Sequence, residues 1–264
     1  VGSDEEVEIT VTVSDVLVET GGEVTVQARK LMEICRSLPD GADLVANLDG
    51  SRVQVDSGRF SSHLATLPPA EFPNIETRSP DVSTQVTAGQ LKQLLQRTSF
   101  AMAQQDVRYF FNGILFEIVD GVVRLVATNG QRLATSYLQS GTSPGNHQFI
   151  VPRKAISELS RILTSLSEDL LINLEFTANH LTLEVPGTRL VTKLIDATYP
   201  DYSRAIPSGG DKVMLADRQL LKDALSRTAI LSNELYRNVR LILLPDRLDM
   251  HANNPQQEEA EESL

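Results

Sequence analysis

The sequence is short of the groups that carry most enzyme chemistry. It has one cysteine, Cys35, in 264 residues, which excludes an intrachain disulfide framework and a cysteine-based zinc site. Such a chain suits a reducing compartment, so a cytoplasmic location is expected. Cys35 falls inside a helical pattern and is expected to be a buried small hydrophobe rather than a nucleophile. The four histidines, His63, His147, His180 and His251, form no HExxH pair, and the chain has no GxSxG, Walker A loop or GxGxxG. No metal, cofactor or intrinsic catalysis is therefore expected; plentiful carboxylates do not define a site. The first residues are acidic with no apolar stretch behind them, so no secretory signal is read. No run approaches the ~18 apolar residues of a membrane-spanning helix, so no membrane partner is expected.

What the chain does have is a helix that returns. In residues 87–102, TAGQLKQLLQRTSFAM, Leu91, Leu94, Leu95 and Thr98 follow the i, i+3, i+4, i+7 spacing of an amphipathic helix. Lys92 and Arg97 lie off that stripe, and Thr87 is placed to cap the N-terminus. Residues 216–231, ADRQLLKDALSRTAIL, align with it without a gap at an offset of 130, matching Leu91 to Leu221, Lys92 to Lys222 and Arg97-Thr98 to Arg227-Thr228. A second pair, ARKLMEICRSL from residue 28 and PRKAISELSRIL from residue 152, opens on Arg-Lys at an offset of 124. Cations are disfavoured in a first helical turn by the macrodipole. Their recurrence at matching places suggests that they face an anionic partner. Four helices starting near 28, 87, 152 and 216 make a modular array. Each is followed by strand-like runs, so the fold class is α+β, built of repeated helix-plus-antiparallel-sheet half-domains.

Positive charge is scarce but concentrated. The chain carries 24 basic and 35 acidic residues, a net charge of −11, which alone argues against nucleic acid. The four helices (28–38, 87–102, 152–166, 216–231) hold 11 basic and 4 acidic residues, leaving 13 basic against 31 acidic elsewhere. If the helices share one surface, that surface is basic on an acidic body, an arrangement that admits nucleic acid at one face and repels it elsewhere.

Strands are expected at 7–13, 23–27, 43–48, 52–56, 59–67, 113–119, 122–128, 131–138, 148–151, 170–176, 180–185, 188–195, 239–244 and 247–252. Asp49-Gly50, Asp120-Gly121 and Asn129-Gly130 supply tight hairpin turns. Prolines 68, 69, 73 and 80 mark a linker, residues 141–147 a short link, and residues 207–210 (PSGG) a second linker. These divide the chain into 1–81, 82–207 and 208–264, the middle part being one complete domain of two helix-plus-sheet halves. The repeat register begins and ends in mid-unit, so the chain reads as a segment of a longer protein.

FPN at 72–74, QDVRYFFNG at 105–113, VATNGQRLA at 126–134, VPRK at 151–154, YPDYSRAIP at 199–207, RTAILSNE at 227–234 and ANNPQQEEAEE at 252–262 follow one another along nearly the whole chain. With them the sequence resembles the bacterial β sliding clamp family, the β subunit of DNA polymerase III. The resemblance implies the DNA clamp fold, with helices on one face and sheets on the outer face. It also implies a three-domain protomer and a head-to-tail homodimer closing a ring around double-stranded DNA. Residues 1–81 would be the C-terminal part of domain 1, 82–207 all of domain 2, and 208–264 the N-terminal part of domain 3. The implied partners are the polymerase III α subunit, the clamp loader, the complex that holds the 3′–5′ exonuclease, and other proteins with a clamp-binding motif.

Three sets of residues follow. Candidate DNA contacts are Arg29, Lys30, Arg36, Lys92, Arg97, Arg153, Lys154, Arg161, Lys222 and Arg227, with Gln105 in a polar loop. Lys and Arg give sequence-independent, salt-dependent attraction to phosphates. Arg153 and Lys154 stand out by position and repeat. Solvated faces with local ion pairs remain the alternative for each residue. The resemblance implies a pocket for a short peptide with Gln, Leu and Phe anchors, formed by Thr128, Gly130, Gln131, Arg132, Leu133, Pro200, Arg204, Ala205 and Ile206. From the residues alone, Leu133 and Ile206 read as core and Asn129-Gly130 as a turn. The resemblance also places a ring-closing interface, with Lys30, Ile34, Leu38, Arg59 and Leu64 on one edge. Ile230, Leu231, Glu258, Glu259, Glu261 and Glu262 lie on the other, basic against acidic around an apolar centre. A solvated acidic run is the alternative for residues 256–262.

Overall fold

The structure, a computed structural model, describes residues 1–75, 78–140, 145–234 and 237–264. Residues 141–144 of the expected 141–147 link, and 76–77 of the proline linker, lie outside the described residues. The chain divides into two compact units, Val1–Tyr199 and Pro200–Leu264.

The first unit opens with β1 (Gly2–Ser3), β2 (Val7–Val11), β3 (Thr25–Val26), α1 (Ala28–Ser37), β4 (Val45–Asp49), β5 (Arg52–Ser57) and β6 (Phe60–Leu67). Two copies of one order follow. The first is β7 (Val82–Thr87), α2 (Ala88–Thr98), β8 (Gly113–Val119), β9 (Val122–Thr128) and β10 (Leu133–Gln139). The second is β11 (Asn146–Pro152), α3 (Arg153–Thr164), β12 (Leu171–Phe176), β13 (His180–Val185) and β14 (Thr188–Lys193).

The two copies interlock. The opening strand of each joins the sheet of the other: β7 pairs antiparallel with β12, and β11 with β8. The resulting orders are β10-β9-β8-β11 and β1-β2-β14-β13-β12-β7. A single hydrophobic cluster joins both sheets and both helices, with Leu91, Leu94 and Leu95 of α2 and Ile156, Leu159 and Leu163 of α3 at its centre. The stacked rings of Phe149 and Phe176, 4.4 Å apart, join the two halves. The apolar stripe read from residues 87–102 is thus core, and α2 and α3 lie side by side. Thr87 caps α2 as expected, its hydroxyl accepting from the Gln90 amide at 3.1 Å while the Gln90 side chain accepts from the Thr87 amide at 2.9 Å. No side chain caps α3, whose first turn holds Arg153 and Lys154.

Several expectations are corrected. Residues 82–87, for which the sequence shows no strand, form β7; its inward positions are Val82, Thr84 and Val86, and the central threonine hides the alternation. Residues 207–210 form no helix or strand, but the acidic run does not end the structure: β17 (Glu259–Ser263) pairs with β16 (Arg247–Asn253). Its glutamates are poor strand formers, and cross-strand pairing overrides them. Asn129-Gly130 is not a two-residue hairpin: pairing resumes at Leu133 opposite Thr128, leaving a four-residue loop. Asp120-Gly121 is one, both residues having positive φ. Cys35 is exposed. The α1 helix rests on Val53, Val55 and Leu64 through Leu31 and Ile34, and Cys35 lies outside that narrow contact. Strand pairing also runs across the expected 81/82 boundary, since β2 pairs with β14 in the sheet that contains β7.

In the second unit, α4 (Arg218–Thr228) precedes β15 (Arg240–Leu244), β16 and β17, which form one antiparallel sheet in that order. Ala224 of α4 packs on Leu248 and Met250.

Candidate functional site

The basic residues of the helices split into two groups. Arg97, Lys30, Arg36 and Lys222 are exposed and have no ion pair among the described residues. Arg153 is half-buried, its Nη1 donating to the Ala103 carbonyl at 3.4 Å. The others meet carboxylates. Arg29 pairs with Glu33 one turn on at 3.0 Å, and Lys92 reaches Glu168 at 3.9 Å. Lys154 pairs with Asp4 and Arg161 with Glu158. Arg227 pairs with Glu262, which raises the arginine pKa and lowers that of the carboxyl. Local neutralisation, the alternative left open by the sequence, therefore holds for half of the cations, Lys154 among them. These pairs are solvent-exposed on at least one side, and such pairs are weak enough to exchange for another anion. Arg218, at the start of α4, is a further exposed cation that the repeat comparison did not single out.

A cleft of about 690 Å³ lies beside the N-terminus of α3, lined by Phe100, Gln105, Arg108, Gly130, Arg132 and Arg153 among others. It brings together residues that the sequence assigned to two functions: Gln105 and Arg153 to DNA, and Gly130, Gln131 and Arg132 to peptide. Gln105 is exposed at a φ of 54°, in a loop tied down on both sides. Asp106 accepts from the Arg108 guanidinium at 3.0 and 2.8 Å and from the Arg108 amide at 2.8 Å. Those bonds, side chain first, lower its pKa to about 2. The guanidinium also lies 4.8 Å above the Phe111 ring, and Phe111 meets Tyr199 edge-on at 5.9 Å. Arg108 was legible only as part of a polar loop; the Asp-x-Arg spacing was the available signal.

The pocket residues from the first unit form a built turn. The Thr128 hydroxyl donates to the Arg132 carbonyl at 2.7 Å and accepts from the Gly130 amide at 3.0 Å. The Asn129 carboxamide oxygen accepts from the amides of Gln131 and Arg132, each at 3.0 Å. Thr128 is buried, Gln131 and Arg132 are exposed, and Leu133 is half-exposed rather than core. In the second unit, Pro200, Arg204, Ala205 and Ile206 are exposed, with Ile206 at 46% and Arg204 paired to Asp201 at 3.0 Å. Neither Leu133 nor Ile206 is the ordinary core residue that pattern alone suggested.

The interface residues fare unevenly. Lys30 and Arg59 are exposed, and Ile34 and Leu38 are half-buried. Leu64 is 7% exposed and packs in the small cluster beneath α1, so most of it lies below the surface. On the other edge, Ile230 is 75% exposed and Leu231 half-buried. Glu258 accepts from Asn254, Glu261 sits 3.0 Å from His251, and Glu262 is held by Arg227; Glu259 is exposed.

Residues 1–76, 85–201 and 203–264 match the family models described as the N-terminal, central and C-terminal domains of the DNA polymerase III beta subunit. The chain is 45% identical over 267 residues to the beta sliding clamp of Pseudomonas aeruginosa, covering all of this chain and 71% of that protein. It is 43% identical over 263 residues to the beta sliding clamp of Escherichia coli K12, again covering 100% of this chain and 71% of the relative. The crystal structure of the DNA polymerase III subunit beta from P. aeruginosa superposes with a TM-score of 0.92 at 44% identity, over 100% of this chain and 72% of that one. The interlocked helix-and-sheet halves, the basic helices and this likeness along the full length agree: the chain belongs to the bacterial β sliding clamp family, the non-enzymatic processivity subunit of DNA polymerase III.

Proposed function

We propose that this chain takes part in a head-to-tail homodimeric ring around double-stranded DNA in the cytoplasm, and tethers the polymerase III α subunit, the clamp loader and other motif-bearing partners through a peptide pocket. Residues 1–81, 82–207 and 208–264 belong to three clamp domains on this reading. The observation that supports it most directly is the pair α2 and α3, packed side by side with their leucines inward and Lys92, Arg97, Arg153, Lys154 and Arg161 off the buried stripe. Sequence-independent phosphate contact needs cations on an exposed face and no side chain aimed at base edges. The turn at 128–132 presents exposed Gln131 and Arg132 beside half-exposed Leu133, polar handles next to an apolar group, which suits a peptide anchor.

The test is the double variant Arg97→Glu, Lys222→Glu, both exposed and outside the cleft that holds the peptide turn. Retention on a closed circular duplex is expected to fall while binding of a Gln-, Leu- and Phe-bearing peptide is kept. Unchanged retention would favour a protein-binding scaffold without DNA.

A further inference from the structure

Two loops meet in the cleft beside α3, and each is closed on itself. In the first, the Asp106 amide donates to the Asn112 carboxamide oxygen at 3.0 Å, and Asn112 Nδ2 donates back to the Asp106 carbonyl at 2.9 Å. In the second, Asn129 and Thr128 hold the turn through their own side chains. Among the described residues, Arg108 supplies the hydrogen bond between them. Its Nε and Nη2 grip the two Asp106 oxygens, and Nη2 also reaches the Asn129 carbonyl at 3.4 Å. Gly130, at a φ of 87°, leaves room for this: a Cβ there would stand 3.2 Å from Arg108 Nη1. The guanidinium is thus wedged between a carboxylate, an aromatic face and a turn that has no side chain at the contact.

We propose that Arg108 is a positioning residue for the peptide pocket, bridging Asp106 and Asn129 so that the pose of the 129–132 turn depends on the 104–106 loop. Nucleic acid engaging Gln105 and peptide engaging the turn then change each other's affinity, by the same factor in both directions. This rests on the clamp reading given above. The bridge needs the planar fork of arginine, because an ammonium cannot span both carboxylate oxygens and a carbonyl.

The experiment is a double-mutant cycle on the full chain, reading the dissociation constant of a fluorescent peptide with Gln, Leu and Phe anchors. Asp106→Asn and Arg108→Ala are each expected to weaken binding at least about fivefold. The double variant is expected to be no weaker than Arg108→Ala alone, and Arg108→Lys as weak as Arg108→Ala. Thermal midpoints are expected to stay together, since the Asp106–Arg108 pair is exposed, whereas a merely structural role would move them. If Arg108→Ala unfolds, Asp106→Asn and Arg108→Lys decide alone. Losses that multiply in the double variant, or parental binding by Arg108→Lys, would overturn the proposal. Adding a 30-base-pair duplex, roughly three helical turns, at low salt should shift peptide affinity in the parent and not in Arg108→Ala. A shift retained in Arg108→Ala also overturns it. No duplex binding by the parent would instead refute the DNA reading, with the cycle still deciding the bridge.

Discussion

Asp4 gives the sharpest test of which way the helix cations point. Its carboxylate pairs with Lys154 in the first turn of α3, the two side chains 44% and 48% exposed. The same carboxyl group also holds the turn into β2, where Oδ1 accepts from the amides of Glu6 at 3.2 Å and Val7 at 3.0 Å. Asp4→Asn removes the charge and keeps that acceptor, so the turn survives. An exposed pair contributes little to stability, and the thermal midpoint should hardly change. The effect on DNA should be visible. A lysine freed from its carboxylate makes one more phosphate contact, which steepens the plot of log affinity against log salt by ~0.9. Between 200 and 50 mM salt that amounts to about a threefold additional gain in affinity. Fluorescence anisotropy of a labelled duplex at several salt concentrations reads it, with Lys154→Gln as the control that should cancel the gain in the double variant. If Asp4→Asn leaves the slope unchanged, Lys154 does not face the phosphates and its assignment falls.

Other outcomes follow from the core and from titration. Leu91 is fully buried between the two sheets, so Leu91→Ala should cost ~2–5 kcal/mol, read by urea unfolding. Thr87→Ala removes one half of the capping box of α2 and should cost about 1 kcal/mol in the same assay. Burial, then the nearby charges of Lys193 and Arg78, hold His180 below its ordinary 6.5. The unfolded chain therefore takes up this proton first as pH falls. Unfolding free energy should decline with acidification from pH 6.5 until the folded-state pKa is passed, and be indifferent to His180 above 6.5. His180→Gln should remove that part of the slope, and an unchanged profile would show that the imidazole is not held neutral.

The helices were legible because their signals are local. The stripe Leu91, Leu94, Leu95, the cap at Thr87 and the returning Arg-Lys pair need no tertiary knowledge, and α1 to α4 begin within two residues of the places read for them. The central hairpins were legible for the same reason. Exchange of β7 and β11 between the two halves was not, because partner choice leaves no mark within a strand. Strand β17 was hidden by its glutamates, and the burial of Leu64 by the absence of any clue to which face of a three-strand meander α1 covers. Charge was the least legible of all. Basic residues can be counted from the sequence, but Asp4 lies 150 residues from Lys154, and Glu262 35 from Arg227. The sequence assigned Arg227 to DNA and Glu262 to an interface, and the fold sets them against each other.

That pairing bears on how such a surface holds DNA. On α2 and α3, Arg97 and Arg153 are the cations without a carboxylate partner among the described residues, while Lys92, Lys154 and Arg161 each have one. On these two helices alone, the two cations without a carboxylate make about two phosphate contacts, a salt slope near −1.8. The paired cations add a reserve: a phosphate passing by can displace an exposed carboxylate at small net cost, and the carboxylate returns when it has gone. A helix face of this kind attracts the duplex without fixing its register. On the clamp reading proposed above, enclosure holds the duplex and the helix cations need only a light grip, so a grip strengthened by neutralising Asp4 and Glu158 together should slow diffusion along the duplex even as it raises affinity.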